Sequence, residues 1–265
     1  MRGTSRPSLP AFPFLDHDGP IAFAHRGGAG GGLENSMAAF QHAVDLGYRY
    51  VETDVHATAD GVLLAFHDRS LDRVTGLTGR IGDQTYARLR AARIAGEHPI
   101  PTLEELLGTW PMLRVNIDVK SLEATGPLAE VIRRTGSIDR VCVASFSQRR
   151  VSALRAALGP RLCTALAPSR VALLRVASMS RLAAGLAPRR VPCVQVPDRL
   201  GPFPVVTAEL VSLAHRHGLH VHVWTIDEAR DMNRLLDLGA DGIMTDQIET
   251  LKEVMRARGA WPTQV

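Results

Sequence analysis

Short apolar runs alternate with amphipathic segments along the whole chain. The runs are Ile21–Ala24, Tyr50–Val55, Val62–Phe66, Leu113–Val119, Val141–Ala144, Leu162–Leu166, Val191–Val196, Leu219–Trp224 and Gly242–Thr245. Between them, apolar residues recur at helical spacing over Ser36–Leu46, Leu103–Leu107, Ala129–Arg134, Arg149–Leu158, Ala208–His217 and Ala229–Leu238. Strand followed by helix, repeated, predicts a parallel sheet. Val62–Phe66 follows Tyr50–Val55 across a tight reversal at Ala59-Asp60-Gly61 and reads as the return arm of the second strand. Counted so, the chain holds about eight βα units, the number and length of an α/β (β/α)8 TIM barrel. Residues 68–101 form the longest irregular connection and are expected to make a short capping insertion over the barrel mouth. The expected division is a loose, Pro- and Ser-rich arm over 1–17, one barrel domain over 18–256, and a tail over 257–265.

Several predicted helices carry their own boundaries. Asn35 or Ser36 can cap Ser36–Leu46, and Gly47 ends it. Thr102 can cap Leu103–Leu107, with Glu105 placed as a capping-box partner.

Composition narrows the class. The chain has 265 residues with 45% hydrophobic content, enough for one sizeable core. No apolar run is long enough to span a bilayer, and the arginine-bearing N-terminus lacks the apolar stretch of a signal peptide. Its three cysteines, Cys142, Cys163 and Cys193, lack metal-ligand spacing and are odd in number, so buried free thiols in a reducing cytoplasm are expected. The net charge of +4 comes from arginine, since lysine occurs only at 120 and 252. The arginines are scattered, as at Arg133-Arg134, Arg149-Arg150 and Arg189-Arg190, without the aromatic interleaving of a nucleic-acid surface. A small anionic substrate fits better. Nothing in the pattern fixes an oligomeric state.

Candidate chemistry gathers where such barrels carry it, at the C-terminal ends of the strands. Glu52 and Asp54 share one face of the second strand, where two carboxylates repel unless a cation sits between them. A solvated strand end is the plain alternative. The return arm delivers His67-Asp68 nearby, the first strand ends in His25-Arg26, and the third places Asn116, Asp118 and Lys120 on one face. The seventh ends in Trp224. Oxygen ligands favour one divalent cation, Mg²⁺ or Ca²⁺, over Zn²⁺. With Arg26 and Lys120, that cation would neutralise a phosphodiester, while two histidines serve as general acid and base.

The strings AHRGG (Ala24–Gly28), ENS (Glu34–Ser36), VETDVHATADG (Val51–Gly61), HDRSLDRVT (His67–Thr75), TGRIGD (Thr78–Asp83), IPTLEELL (Ile100–Leu107), NIDVK (Asn116–Lys120), HGLHVHVWT (His217–Thr225) and GADGIMTD (Gly239–Asp246) stand in an order that resembles the glycerophosphodiester phosphodiesterases. The resemblance implies a barrel that hydrolyses a glycerol phosphodiester to glycerol 3-phosphate and an alcohol. It implies His25 and His67 as the acid/base pair, and Glu52, Asp54 and Asp118 as metal ligands. Arg26 and Lys120 would be phosphate contacts and Trp224 a pocket wall. Glu34 and Asn35 match a Glu-Asn pair near metal and substrate, with helix capping the other reading of Asn35. Asp118 departs from the longer Glu usual at its position, and Leu33 from the usual Pro. Gly27–Gly32 is expected to allow close backbone approach to substrate or to form a mobile loop, and it carries no dinucleotide fingerprint. His220 and His222 are expected in core or inter-strand positions, and Asp246 as a cap of the last barrel loop. Two other readings remain. One is a lysophospholipase D or sphingomyelinase-D-like enzyme, against which stands the lack of an amphipathic membrane-docking segment. The other is a non-hydrolytic sugar-phosphate-binding barrel.

Overall fold

The computed structural model describes residues 12–178 and 191–261. Among these, eight parallel strands form one sheet: β1 Ile21–Ala24, β2 Tyr50–Ala57, β3 Arg114–Val119, β4 Val141–Ala144, β5 Cys163–Thr164, β6 Cys193–Pro197, β7 His220–Trp224 and β8 Gly242–Thr245. The order β5-β4-β3-β2-β1-β8-β7-β6 returns on itself. A parallel bridge between Ala165 and Cys193, with the Leu166 N–H donating to the Cys193 carbonyl at 3.0 Å, closes β5 onto β6. The expected barrel is the observed one. The return arm is also as expected: Leu63–Ala65 pairs antiparallel with β2, Val55 opposite Ala65.

Alternation along the strands builds two cores. Val51 and Val55 of β2 and Val115, Ile117 and Val119 of β3 point outward and are buried beneath the helices. The inward positions change character along the barrel axis. Tyr50, Phe23, Cys142, Cys163, Cys193 and Met244 pack together low in the interior, whereas Glu52, Asp54, Asn116 and Asp118 lie above them, further along their strands. Among the described residues, an apolar plug thus lies beneath a charged mouth that opens to the cavity.

The plug corrects one expectation. Residues 1–11 lie outside the described residues, but the rest of the supposed loose arm is docked. Phe14 is buried against Phe23 and Tyr50, and the Tyr50 hydroxyl donates to the Phe14 carbonyl at 2.9 Å. The described part of the tail is docked too, with Trp261 packing its ring edge-on to Tyr48 at 4.9 Å. The insertion after β2 holds a helical turn, Tyr86–Leu89, and a two-stranded ribbon, and it buries Leu71, Ile81, Leu89 and Ile94 against Leu64 and Phe66.

Helix boundaries follow side-chain capping. The Ser36 hydroxyl, not Asn35, accepts from the Ala39 N–H at 3.1 Å to start Met37–Asp45. Thr102 accepts from the Glu105 N–H at 3.0 Å to start Leu103–Thr109. Two further helices, Pro168–Ser178 and Ile248–Ala257, lie beyond the segments that the periodicity predicts. No helix among the described residues is long and apolar enough to cross a membrane.

Candidate active site

Adjacent parallel strands set Asp54 opposite Asp118 and Glu52 opposite Asn116. Strand spacing of ~4.8 Å therefore brings two carboxylates side by side, with a third one pleat below. All three acids are buried. Lys120 lies between two of them, its Nζ 2.7 Å from Asp54 Oδ1 and 2.7 Å from Asp118 Oδ2. Burial disfavours charge on Asp54, but Lys120 and Arg26 outweigh it and hold the carboxyl below its ordinary range. Glu52 gets less help: burial, and then the Asp54 charge, push it up to about 8. Burial also raises Asp118 despite Lys120. Asp118 Oδ1 is buried with no hydrogen-bond partner. Three converging carboxylates, two of them destabilised as anions and one with an orphaned oxygen, are a donor set suited to a hard divalent cation.

The two histidines flank this cluster in matching environments. His25 Nδ1 lies 2.6 Å from Asp246 Oδ1, and His67 Nδ1 lies 2.6 Å from Asp68 Oδ1. An ionised carboxylate only accepts, so each Nδ1 carries the proton and each Nε2 is left as the reactive nitrogen. His25 Nε2 sits 3.7 Å from Glu52 Oε2. Burial opposes charging His25, but Glu52 and Asp246 outweigh it and raise its pKa. The expectation that Asp246 merely caps a loop is thus corrected: its side chain holds His25.

Asp68 is held in turn. Arg73 Nε donates to Asp68 Oδ2 at 2.6 Å, and its two terminal nitrogens donate to Glu34 at 2.8 and 2.6 Å. The Arg73 hydrogen bond holds the Asp68 carboxyl down to about 2. The same guanidinium, with Arg26, lowers Glu34 against the cost of its burial. Glu34 therefore faces two arginines rather than the acid cluster, and Arg73 is a site residue that sequence reasoning missed. His56 is another, donating from Nε2 to the His67 carbonyl at 3.1 Å.

Arg26 adopts a left-handed backbone with φ of 53°. Its N–H donates to Glu52 at 3.2 Å, while its Nε lies 3.2 Å from Asp54 and is buried without a hydrogen bond of good geometry. Asn35, also left-handed, accepts from the Thr53 hydroxyl at 2.7 Å and donates to Asp54 at 3.3 Å. It orients an acid and caps nothing. The glycines beside Arg26 serve packing: a Cβ on Gly28 would stand 2.7 Å from Ile248. His222 is buried in the barrel, as expected.

A cavity of about 530 Å³ opens over these groups and is lined by His25, Arg26, Glu52, Asp54, His67 and Lys120 on one side. The opposite wall is apolar, with Phe146, Val171, Val176, Leu200, Val205 and Trp224. Trp224 meets Phe146 edge-on at 5.9 Å. Phe146, Val176 and Leu200 remain mostly exposed at the rim.

Comparison with known proteins agrees with this geometry. Residues 25–250 match the Glycerophosphoryl diester phosphodiesterase family. A probable glycerophosphodiester phosphodiesterase 2 from Mycobacterium tuberculosis is 42% identical over 95% of this chain and 97% of its own length. A lysophospholipase D, GDPD1, from Rattus norvegicus is 28% identical over 89% of this chain and 86% of its own. The Oleispira antarctica phosphodiesterase OLEI02445, solved in complex with the product sn-glycerol-3-phosphate, superposes with a TM-score of 0.75 at 22% identity, covering 90% of this chain and 97% of that one.

Proposed function

Because this chain belongs to the glycerophosphoryl diester phosphodiesterase family and is a phosphodiesterase of glycerophosphodiesters, we propose that His25 and His67 are its acid/base pair and that Glu52, Asp54 and Asp118 hold one divalent cation, Mg²⁺ or Ca²⁺. The observation that carries this reading is the pairing of two Nδ1-anchored imidazoles with a buried carboxylate trio that includes an orphaned oxygen. The family is generally dependent on a divalent metal. When bound, the cation supplies positive charge against the phosphodiester and its transition state.

The residues of the chain do the rest. Arg26 Nε and the Lys120 ammonium, now turned on carboxylates, would turn to an entering phosphate. One imidazole Nε2 takes the proton of the glycerol 2-hydroxyl as its oxygen bonds to phosphorus. The other imidazole, as its cation, protonates the departing alcohol oxygen as the P–O bond breaks. Water then opens the cyclic phosphate with the proton transfers reversed, leaving glycerol 3-phosphate. An analogue lacking the 2-hydroxyl should not be cleaved, and cleavage at the normal rate would rule this route out. Trp224, on the apolar wall, packs against the leaving group. Three buried free cysteines suit a reducing compartment, the cytoplasm.

Arg73 is a positioning residue, acting on His67 through Asp68. Arg73→Ala should lower kcat roughly 10- to 100-fold with little change in KM, as expected when a catalytic group is misplaced. Arg73→Lys should recover only part, since an ammonium cannot bridge Glu34 and Asp68 with a planar fork. Steady-state kinetics on both variants checks this, and an unchanged kcat in Arg73→Ala contradicts it.

Asp118 is one methylene shorter than the family's Glu, so its carboxylate reaches roughly 1.5 Å less far. That shortfall is large beside ligand distances of ~2.0–2.6 Å. Asp118→Glu should stay active with an altered metal affinity or preference. Asp118→Asn should bind metal poorly, because one of three negative charges is gone. Activity against metal concentration measures both, and wild-type affinity in Asp118→Asn would remove Asp118 from the ligand set.

The apolar wall also favours substrates that carry a hydrocarbon chain, the lysophospholipase D reading. Leu173 and Val176 of the helix Pro168–Ser178 are exposed beside the cavity, together with Leu200 and Phe203 of a short ribbon. These exposed side chains would offer a hydrocarbon chain an apolar surface that the sequence pattern did not indicate. Val176→Ser should lower kcat/KM for a lysophospholipid roughly tenfold, about the value of burying one aliphatic side chain, and lower it less for a water-soluble glycerophosphodiester. Equal losses on both substrates would count against a lipid-binding wall. The non-hydrolytic alternative gives way to the family assignment.

A further inference from the structure

Three thiols converge inside the barrel, beneath the cavity and outside the chemistry described above. The β4–β5 ladder sets Cys142 opposite Cys163, and the closing bridge sets Cys193 opposite Ala165. All three are free and buried. One candidate ligand atom from each lies within 4.8 Å of the other two, and the Cys142 and Cys193 sulfurs are 3.9 Å apart. Two residues further along the same strands, Ala144, Ala165 and Gln195 line the cavity. The sulfurs therefore sit about 6–7 Å deeper, two strand residues down.

We propose that Cys142, Cys163 and Cys193 form a trigonal binding site for Cu(I). Three soft sulfur donors and no oxygen donor select a soft cation over the Mg²⁺ or Ca²⁺ of the mouth. The sulfur spacing suits a shared metal ion, and the residues present set the number of ligands. A metal–sulfur bond of ~2.3 Å places sulfurs about 4.0 Å apart around a trigonal centre and about 3.8 Å apart around a tetrahedral one. The observed 3.9 Å contact is already at that spacing, and the third sulfur, within 4.8 Å of the others, needs to close by less than about 1 Å, within reach of a side-chain adjustment. Among the described residues, no His, Asp or Glu joins the three at this spacing. Structural Zn²⁺ almost always takes four protein ligands, so three favour Cu(I).

The surroundings suit the exchange of protons for a metal. The thiolate is the ligand form of cysteine, so binding releases the thiol protons. His220 pairs with Cys193 across the β6–β7 ladder, and His220 Nδ1 and His222 Nε2 are buried with no hydrogen-bond partner. Two unpartnered ring nitrogens beside Cys193 keep the interior next to the sulfurs from being wholly apolar. Entry is short: the small side chains of Ala144 and Ala165 stand above Cys142 and Cys163, and Gln195 stands above Cys193. A bound ion would also tie β4, β5 and β6 together at the seam where a single bridge closes the barrel.

The test is anaerobic titration of the reduced full-length protein with Cu(I) held by a competing bicinchoninate chelator. It is read by stoichiometry, thermal midpoint and X-ray absorption. One tightly held Cu(I) per chain is expected, with a first shell of three sulfurs and a raised midpoint, because a ligand that binds only the folded state stabilises it. Cys142→Ala, Cys163→Ala and Cys193→Ala should each weaken binding by more than about 100-fold, beyond the usual cost of losing an outer-shell partner. Without copper, their hydrolysis rates in the presence of Mg²⁺ should match wild type, which shows that each variant folds. No Cu(I) held by the native protein or by protein refolded with Cu(I), unchanged binding in all three variants, or tighter binding of Zn²⁺ than of Cu(I) overturns the proposal.

Discussion

Replacing His25 or His67 with alanine should each lower kcat by ~10²–10⁴, the usual contribution of a positioned acid or base. Neither ring supports the core, since both reach the cavity and their side chains are 14% and 34% exposed. The thermal midpoint should therefore barely move. A sharper variant is Asp246→Asn. An amide at this place can donate to Nδ1 and drive the proton to Nε2, so His25 keeps its position but presents the wrong tautomer. Its turnover should approach that of His25→Ala. Steady-state kinetics with circular dichroism measures all three, and near-normal turnover in a folded His25→Ala or His67→Ala would remove that residue from the acid/base pair.

Excess chelator should abolish hydrolysis, and Mg²⁺ or Ca²⁺ should restore it. The expected loss is ~10³-fold or more, from several kcal/mol of lost charge stabilisation in the transition state. Without the cation the acids do not tear the barrel apart, because Lys120 pairs with both Asp54 and Asp118 at 2.7 Å. Inactivation should therefore be reversible and leave the fold intact. Asp54→Asn should be inactive at metal concentrations that saturate wild type, since Asp54 is the trio's carboxylate that neighbouring cations hold most firmly ionised. Full turnover in excess chelator contradicts metal dependence.

What the sequence revealed tracks how local the signal was. The barrel was legible because strand and helix periods alternate, and β2 showed its inward acids through simple alternation. His25 and His67 were legible because strand ends carry them. Their anchors were not equally so. Asp68 adjoins His67, but Asp246 is 221 residues from His25 and reaches it only because β8 closes beside β1. Arg73 lies in an irregular insertion, where no period says which way a side chain points. The helix Pro168–Ser178 escaped notice because its apolar residues do not keep to one face: Leu174 and Ala177 are buried while Leu173 and Val176 are exposed. Ile248–Ala257 did carry a signal, with Ile248, Leu251, Val254 and Met255 buried at helical spacing. The three cysteines share no spacing because three different strands deliver them. Asn35 looked like a cap because a sequence cannot report the left-handed φ of 58° that turns its amide onto Asp54.

The central claim is that the barrel mouth breaks the bond between phosphorus and the alcohol, not the one between phosphorus and glycerol. Phosphorus NMR of a glycerophosphodiester panel, run with Mg²⁺ or Ca²⁺ and again in excess chelator, tests it most directly. The account predicts stoichiometric glycerol 3-phosphate and free alcohol with metal, and intact substrate with chelator. Free glycerol with a phosphorylated alcohol, or the same products at the same rate in chelator, would contradict it.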